Sequence, residues 1–203
     1  MSRSAFYLIF AAGLSLAVPF SGGLEGIARA DSPAPSASAT AAAPGLADAA
    51  TRDRFTGNFT YVGGDKQRAA IENAIDYGIS NMFIVAKPIA RGKLRDKTAI
   101  KNAVGFKFAN GNVISTASDA SPATSRDDGT PAPYVVDGET IRIVQKVTAD
   151  GHLLQTFSTA DGSRLNDYTL SADNKTLTMT VTLTSSRISH PVRYALTYRR
   201  TGA

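Results

Sequence analysis

Residues 141–183, IRIVQKVTADGHLLQTFSTADGSRLNDYTLSADNKTLTMTVTL, contain three near-copies of one turn: Thr148-Ala149-Asp150-Gly151, Thr159-Ala160-Asp161-Gly162 and Ser171-Ala172-Asp173-Asn174. The copies are spaced eleven and then twelve residues apart, the rhythm of an antiparallel meander. Gly or Asn in the last place suits a left-handed residue after a type I turn, which predicts three-residue loops at 149–151, 160–162 and 172–174. Counting back from those loops places Ile141, Ile143, Gln145, Val147, Leu153, Gln155, Phe157, Leu165, Asp167, Thr169, Leu177, Met179, Val181 and Leu183 on one face. Arg142, Lys146, Thr156, Arg164, Asn166 and Thr176, Thr178, Thr180 and Thr182 fall on the other. A one-residue slip would move every side chain of a strand to the opposite face, so the segregation fixes a predicted register.

Working outward, Val192 to Arg200 alternates as a last strand, with Val192, Tyr194, Leu196 and Tyr198 on one side. Upstream, Ala99–Phe108 and Asn112–Ser118 read as strands joined at Asn110-Gly111, the strongest short hairpin signal. Residues 119–133 are rich in Ser, Pro, Asp and Gly and read as a long exposed loop; Tyr134-Val135-Val136 reads as a short strand. Phe55–Val62 reads as the first strand. After it, Asp65 can cap one amphipathic helix whose apolar positions are Ala70, Ile71, Ala74, Ile75, Ile79, Met82 and Phe83. Pro88 sets its latest end, and Gly78 admits a division into two shorter helices. The fold class is therefore mainly β, an antiparallel up-and-down meander of 8–9 strands. A closed barrel or a strongly curved sheet around the helix both satisfy that pattern.

The amino end carries Arg3, an apolar run from Ala5 to Phe20 and the small-x-small sequence Ala28-Arg29-Ala30. These are the parts of a secretory signal peptide over 1–30, which predicts a periplasmic or secreted protein. Removing it takes away two arginines and one glutamate, so the net charge falls from +5 to +4. Residues 31–50, almost entirely Ala, Ser, Pro and Thr, predict a disordered linker, and one domain follows over 51–203. With no cysteine there is no disulfide, thiol nucleophile or cysteine-linked lipid.

Several short pieces resemble the lipocalin and fatty-acid-binding (calycin) superfamily. Phe55-Thr56-Gly57-Asn58-Phe59 is similar to the Gly-x-Trp start of that fold, with Phe59 in place of the tryptophan, and Tyr194-Ala195-Leu196-Thr197-Tyr198-Arg199-Arg200 resembles its aromatic-and-arginine final strand. Leu170 to Arg200 also resembles the tail of lipocalin-like bacterial proteins of unknown role. The resemblance implies an internal ligand that is small and lipophilic or amphipathic, and an arginine, Arg193 or Arg199, stacked on Phe59.

The predicted register aligns Gln145, Gln155 and Asp167 in one polar row across an apolar face, ending at Met179. Buried amides and carboxylates cost about 1–3 kcal/mol each when unsatisfied, so the row needs a partner. A ligand held by Gln145, Gln155, Asp167, Phe157, Met179 and Tyr194 is one answer, and an internal hydrogen-bond network is the other. The basic run Lys87, Arg91, Lys93, Arg95, Lys97 and Lys101, opposed only by Asp96, suits either an anionic membrane surface or a solvated connector. It lacks aromatic interleaving, so nucleic acid is not expected. His152 and His190 lie at no metal-ligand spacing, no Gly-x-Ser-x-Gly elbow occurs, and Asp127-Asp128 sits in the polar loop. These absences predict a protein without catalytic residues, metal or cofactor. Three functions stay open: a ligand-binding barrel, a filled barrel that works through its threonine-rich outer face at 176–184, and an enzyme using Asp167.

Overall fold

The computed structural model describes residues 47–136 and 138–202. The expected signal peptide and most of the linker lie outside the described residues. Inside them the chain forms α1 (Ala49–Phe55), β1 (Gly57–Tyr61), α2 (Gly64–Gly78), α3 (Lys87–Thr98), β2 (Ala103–Ala109), β3 (Asn112–Ala117), β4 (Ala123–Arg126), β5 (Ala132–Val136), β6 (Glu139–Val147), β7 (His152–Ser158), β8 (Gly162–Leu170), β9 (Thr176–Ser185) and β10 (Val192–Gly202). The ten strands form one antiparallel sheet in the order β4-β3-β2-β1-β10-β9-β8-β7-β6-β5. β4 runs on through Asp127 to Gly129 beside β6, where the Val147 amide donates to the Asp127 carbonyl (3.1 Å) and the Gly129 amide donates to the Gln145 carbonyl (2.9 Å). The sheet thereby nearly closes into a barrel, and an up-and-down barrel hides the edges that an open sheet would expose.

Two of the predicted elements change character. The 119–133 stretch is not a plain loop, because Ala123–Arg126 pairs with β3 as β4. Its alternation is legible afterwards: Ala123 and Ser125 point in, Thr124 and Arg126 out. Phe55 is not in a strand but is the buried last residue of α1. That helix, capped by Asp48 accepting from the Thr51 amide at 2.8 Å, begins within the stretch expected to be linker. Ala47 is already packed in the core.

The predicted amphipathic helix is α2 and stops at Gly78, so Met82 and Phe83, counted on its apolar face, lie beyond it in the connection to a second helix. α2 buries Ile71 and Ile75, with Ile79 just beyond it, each contributing about 1.5–3 kcal/mol of apolar burial. The basic run, read as a connector, is α3; Pro88 stands in its first turn, where a missing amide costs nothing, rather than ending the helix before it. Ion pairs join the two helices: Arg95 to Glu72 at 2.7 Å, and Arg91 to Asp76. α2 lies along β10 beyond the end of β1, with the Gln67 side chain bonded to both the amide and the hydroxyl of Thr197. The helices therefore cap one end of the barrel.

The meander register is right at its ends and wrong in the middle. Thr148 pairs with His152 around a three-residue loop whose Gly151 has φ +86°, as predicted, and Gln145 pairs with Gln155. The second turn has only two loop residues, since Thr159 bonds to Gly162. Gly162 is there for space and not for a left-handed φ: a Cβ would stand 2.3 Å from the Thr184 carbonyl oxygen of β9. β8 consequently slips by one. Arg164, Asn166 and Tyr168 point inward, while Leu165, Asp167 and Thr169 point outward. The third turn spans four residues, with Ser171 bonded to Thr176, and this second slip restores Leu177, Met179, Val181 and Leu183 to the interior.

Candidate functional site

β8 supplies the polar lining of the barrel. Gln155 of β7 is its hub: its Nε2 donates to Ser115 Oγ (2.6 Å) and Gln145 Oε1 (2.9 Å), and its Oε1 accepts from Asn166 Nδ2 (2.9 Å) and the Tyr168 hydroxyl (3.3 Å). Gln145 is fully buried and donates onward to the Val113 carbonyl (3.2 Å) and Ser125 Oγ (3.0 Å). At the other end, Arg164 Nε donates to Asn166 Oδ1 at 2.7 Å, and Arg164 Nη1 donates to the Lys97 carbonyl at 2.7 Å. A cation thus closes the carboxyl end of α3, where the helix dipole favours it. The network runs from β3 and β4 across β6, β7 and β8 to the helical cap.

A cavity of about 40 Å³ opens beside this network. Its lining includes Gln155, Asn166, Tyr168, Met179 and Tyr198, the rings of Phe106, Tyr134 and Phe157, and the less buried Ala99, Lys101, Ala117 and Ala120. Arg164 and Lys101 bring two cations to one lining. Burial pushes the Lys101 ammonium below its ordinary value; the Asp119 carboxylate opposes this and the Arg164 guanidinium adds to it. The cavity is small: room for about three waters, against roughly 300–1,000 Å³ for pockets that enclose drug-sized ligands.

Of the residues singled out in sequence, Gln155, Phe157 and Met179 line the cavity. Gln145 lies beside it as part of the network, and Tyr194 is buried in the main core opposite Val181. Asp167 is on the outer face, where its Oδ1 is 2.7 Å from His152 Nδ1. The inward row is therefore Gln145, Gln155 and Asn166, ending at Val181; Tyr168, two residues further along β8, is opposite Met179. Sequence reasoning missed Arg164, Asn166 and Tyr168. A signal existed, because Tyr168 and Leu170 share a parity opposite to Leu165, against the orientation that counting from three-residue loops gives this strand.

Asp127 and Asp128 also separate. Asp127 is buried against Arg52 at 3.3 Å, whereas Asp128 accepts from Arg126 and from the Thr130 amide. Arg200, rather than Arg193 or Arg199, stacks on Phe59, its guanidinium 4.5 Å from the ring centroid. In the β1–β10 ladder Phe59 pairs with Arg200, while Arg199 pairs with Thr60. Among the described residues no group of three or more His, Asp or Glu is placed to hold a metal ion, and no helix is long and apolar enough to cross a membrane.

No family model and no curated protein matches the sequence. Solved structures share its outline. A Schistosoma mansoni fatty-acid-binding protein in complex with arachidonic acid is 15% identical, covering 74% of this chain and 98% of its own, at a TM-score of 0.44. Echinococcus granulosus fatty-acid-binding protein 1 is 11% identical over 73% of this chain and 98% of its own, at 0.45. A luciferase domain from the dinoflagellate Lingulodinium polyedrum is 15% identical over 81% of this chain and 46% of its own, at 0.49. Identity this low and superposition this partial transfer no binding residue and no function to this chain.

Proposed function

We propose that the barrel binds a small amphipathic molecule, with a polar or anionic head beside Lys101 and Arg164 and an apolar part against the alanines and aromatic rings of the same lining. The observation that carries this reading is the lining itself: two cations and an ordered amide network face the same space as five aromatic rings. Convergent polar groups set among apolar walls are the usual composition of a ligand site. The small volume limits what enters unaided. A ligand larger than the head group displaces side chains, and Met179, unbranched and polarizable, is the one that yields most readily. On this reading the protein works outside the cytoplasm, since residues 1–30 have the form of a signal peptide. Edman sequencing of the secreted form, with Asp31 as the expected first residue, tests that placement.

A second reading follows from the same volume. A barrel whose polar interior bonds to itself has no need of a ligand, and its work would then lie on the outer face. Titration with the anionic amphiphile 1-anilinonaphthalene-8-sulfonate, then competition by octanoate and by octanol, separates the two. Saturable binding, with octanoate at least about tenfold tighter than octanol and the advantage lost in Lys101→Met, supports the ligand site. No saturable binding of any of the three refutes it in favour of the filled barrel.

A further inference from the structure

The connection between α2 and α3 presents Phe83, Ile84 and Val85 to solvent at 86%, 82% and 81% exposure, with Ile89 at 66% on the first turn of α3. Three consecutive large apolar side chains in water are a liability unless they have a use. Nor are they the slack of a loose loop. The Met82 amide bonds to the Ile79 carbonyl, the Ala86 and Lys87 amides bond to the Phe83 carbonyl, and Lys87 Nζ donates to the Ser80 carbonyl at 2.7 Å. Met82 packs on the core beneath, and the Arg95–Glu72 and Arg91–Asp76 pairs brace the two helices behind the tip. The result is a braced wedge with its apolar end outward.

We infer that this wedge inserts into the interface of a bilayer containing anionic lipid. Directly behind it, residues 87–97 carry Lys87, Arg91, Lys93, Arg95 and Lys97 against Asp96 alone, while Glu72 and Asp76 of α2 offset two of the arginines. An apolar tip with a basic collar is complementary to an anionic headgroup layer over hydrocarbon. The same collar disfavours a second copy of the chain, because two such tips would bring like charges together. The proposal does not depend on the cavity binding anything.

The chain has no tryptophan, so Phe83→Trp in the full chain gives one fluorophore at the tip. Vesicles of equal parts phosphatidylglycerol and phosphatidylcholine should shift its emission to the blue, and brominated lipid should quench it. Val135→Trp, on the outer face of β5, should do neither. The combined F83S, I84S and V85S variant should float with these vesicles at least about tenfold less than the unaltered chain. Binding should weaken with salt and in phosphatidylcholine alone. No shift at position 83, equal shifts at 83 and 135, or undiminished flotation of the serine variant would overturn the proposal. So would emission already blue-shifted without lipid, since that would place a protein surface over the wedge.

Discussion

Arg200 joins three separate pieces of the barrel's far end, and replacing it with Met tests the account of how that end is held. Its Nε donates to the Asn174 carbonyl (2.8 Å), Nη1 to the Thr56 carbonyl (2.5 Å) and Nη2 to the Arg54 carbonyl (2.5 Å), while the guanidinium covers Phe59. Arg54 and Thr56 are at the carboxyl end of α1, whose carbonyls lack helical partners, so a cation there complements the helix end. Hydrogen bonds from a charged donor are worth about 1.5–3 kcal/mol each when buried. Arg200 is half-buried and its carbonyls can take water in part, which reduces three such bonds to roughly 2 kcal/mol together. The ring contact adds about 1 kcal/mol. Arg200→Met keeps the aliphatic packing and should lose about 2–4 kcal/mol in urea unfolding, read from a shifted midpoint at unchanged slope. Arg200→Lys should recover less than half, because an ammonium cannot span three divergent carbonyls. A loss under about 0.5 kcal/mol, or full recovery by lysine, would refute this geometry as a source of stability.

Gln155→Leu removes the hub of the interior network and leaves Asn166, Gln145 and Ser115 short of partners; an expected loss of about 2–4 kcal/mol is measurable by the same unfolding. The acid limb has a defined sign. Hydrogen bonds from Thr51 to Asp48, Thr130 and Arg126 to Asp128, Thr148 to Asp150, and Ser171 to Asp173 hold these carboxyls below the ordinary carboxylate range. A folded value below the unfolded one gives stability that is present above about pH 4 and lost as pH falls through the folded values. The urea midpoint should therefore decline below about pH 4, and less steeply when Asp173 is Asn. A decline confined to the histidine range near pH 6.5 would contradict this origin.

What could be read from the chain depended on whether a residue's neighbours in sequence were also its neighbours in space. The Asn110-Gly111 hairpin, the loop at 149–151 and the apolar faces of β6, β7, β9 and β10 follow from local turn chemistry and a two-residue period, both written along the chain. Gln145 and Gln155 were found in the interior for the same reason. The role of Gly162 is not written locally, because its purpose lies across the sheet: clearance for the Thr184 carbonyl, a contact between strands, shortens the loop and turns β8 over. With that slip Asp167 leaves the interior, and Arg164, Asn166 and Tyr168 enter it. β4 was hidden for a related reason, since four residues are too few to show a period until β3 pairs with them. By itself the sequence determined a mainly antiparallel meander, its principal hairpins and an interior containing buried amides. Only the tertiary structure decided which face of β8 is inside, that α3 ends on Arg164, and that Lys101 comes to the same cavity, because each of these depends on contacts between segments far apart in the chain.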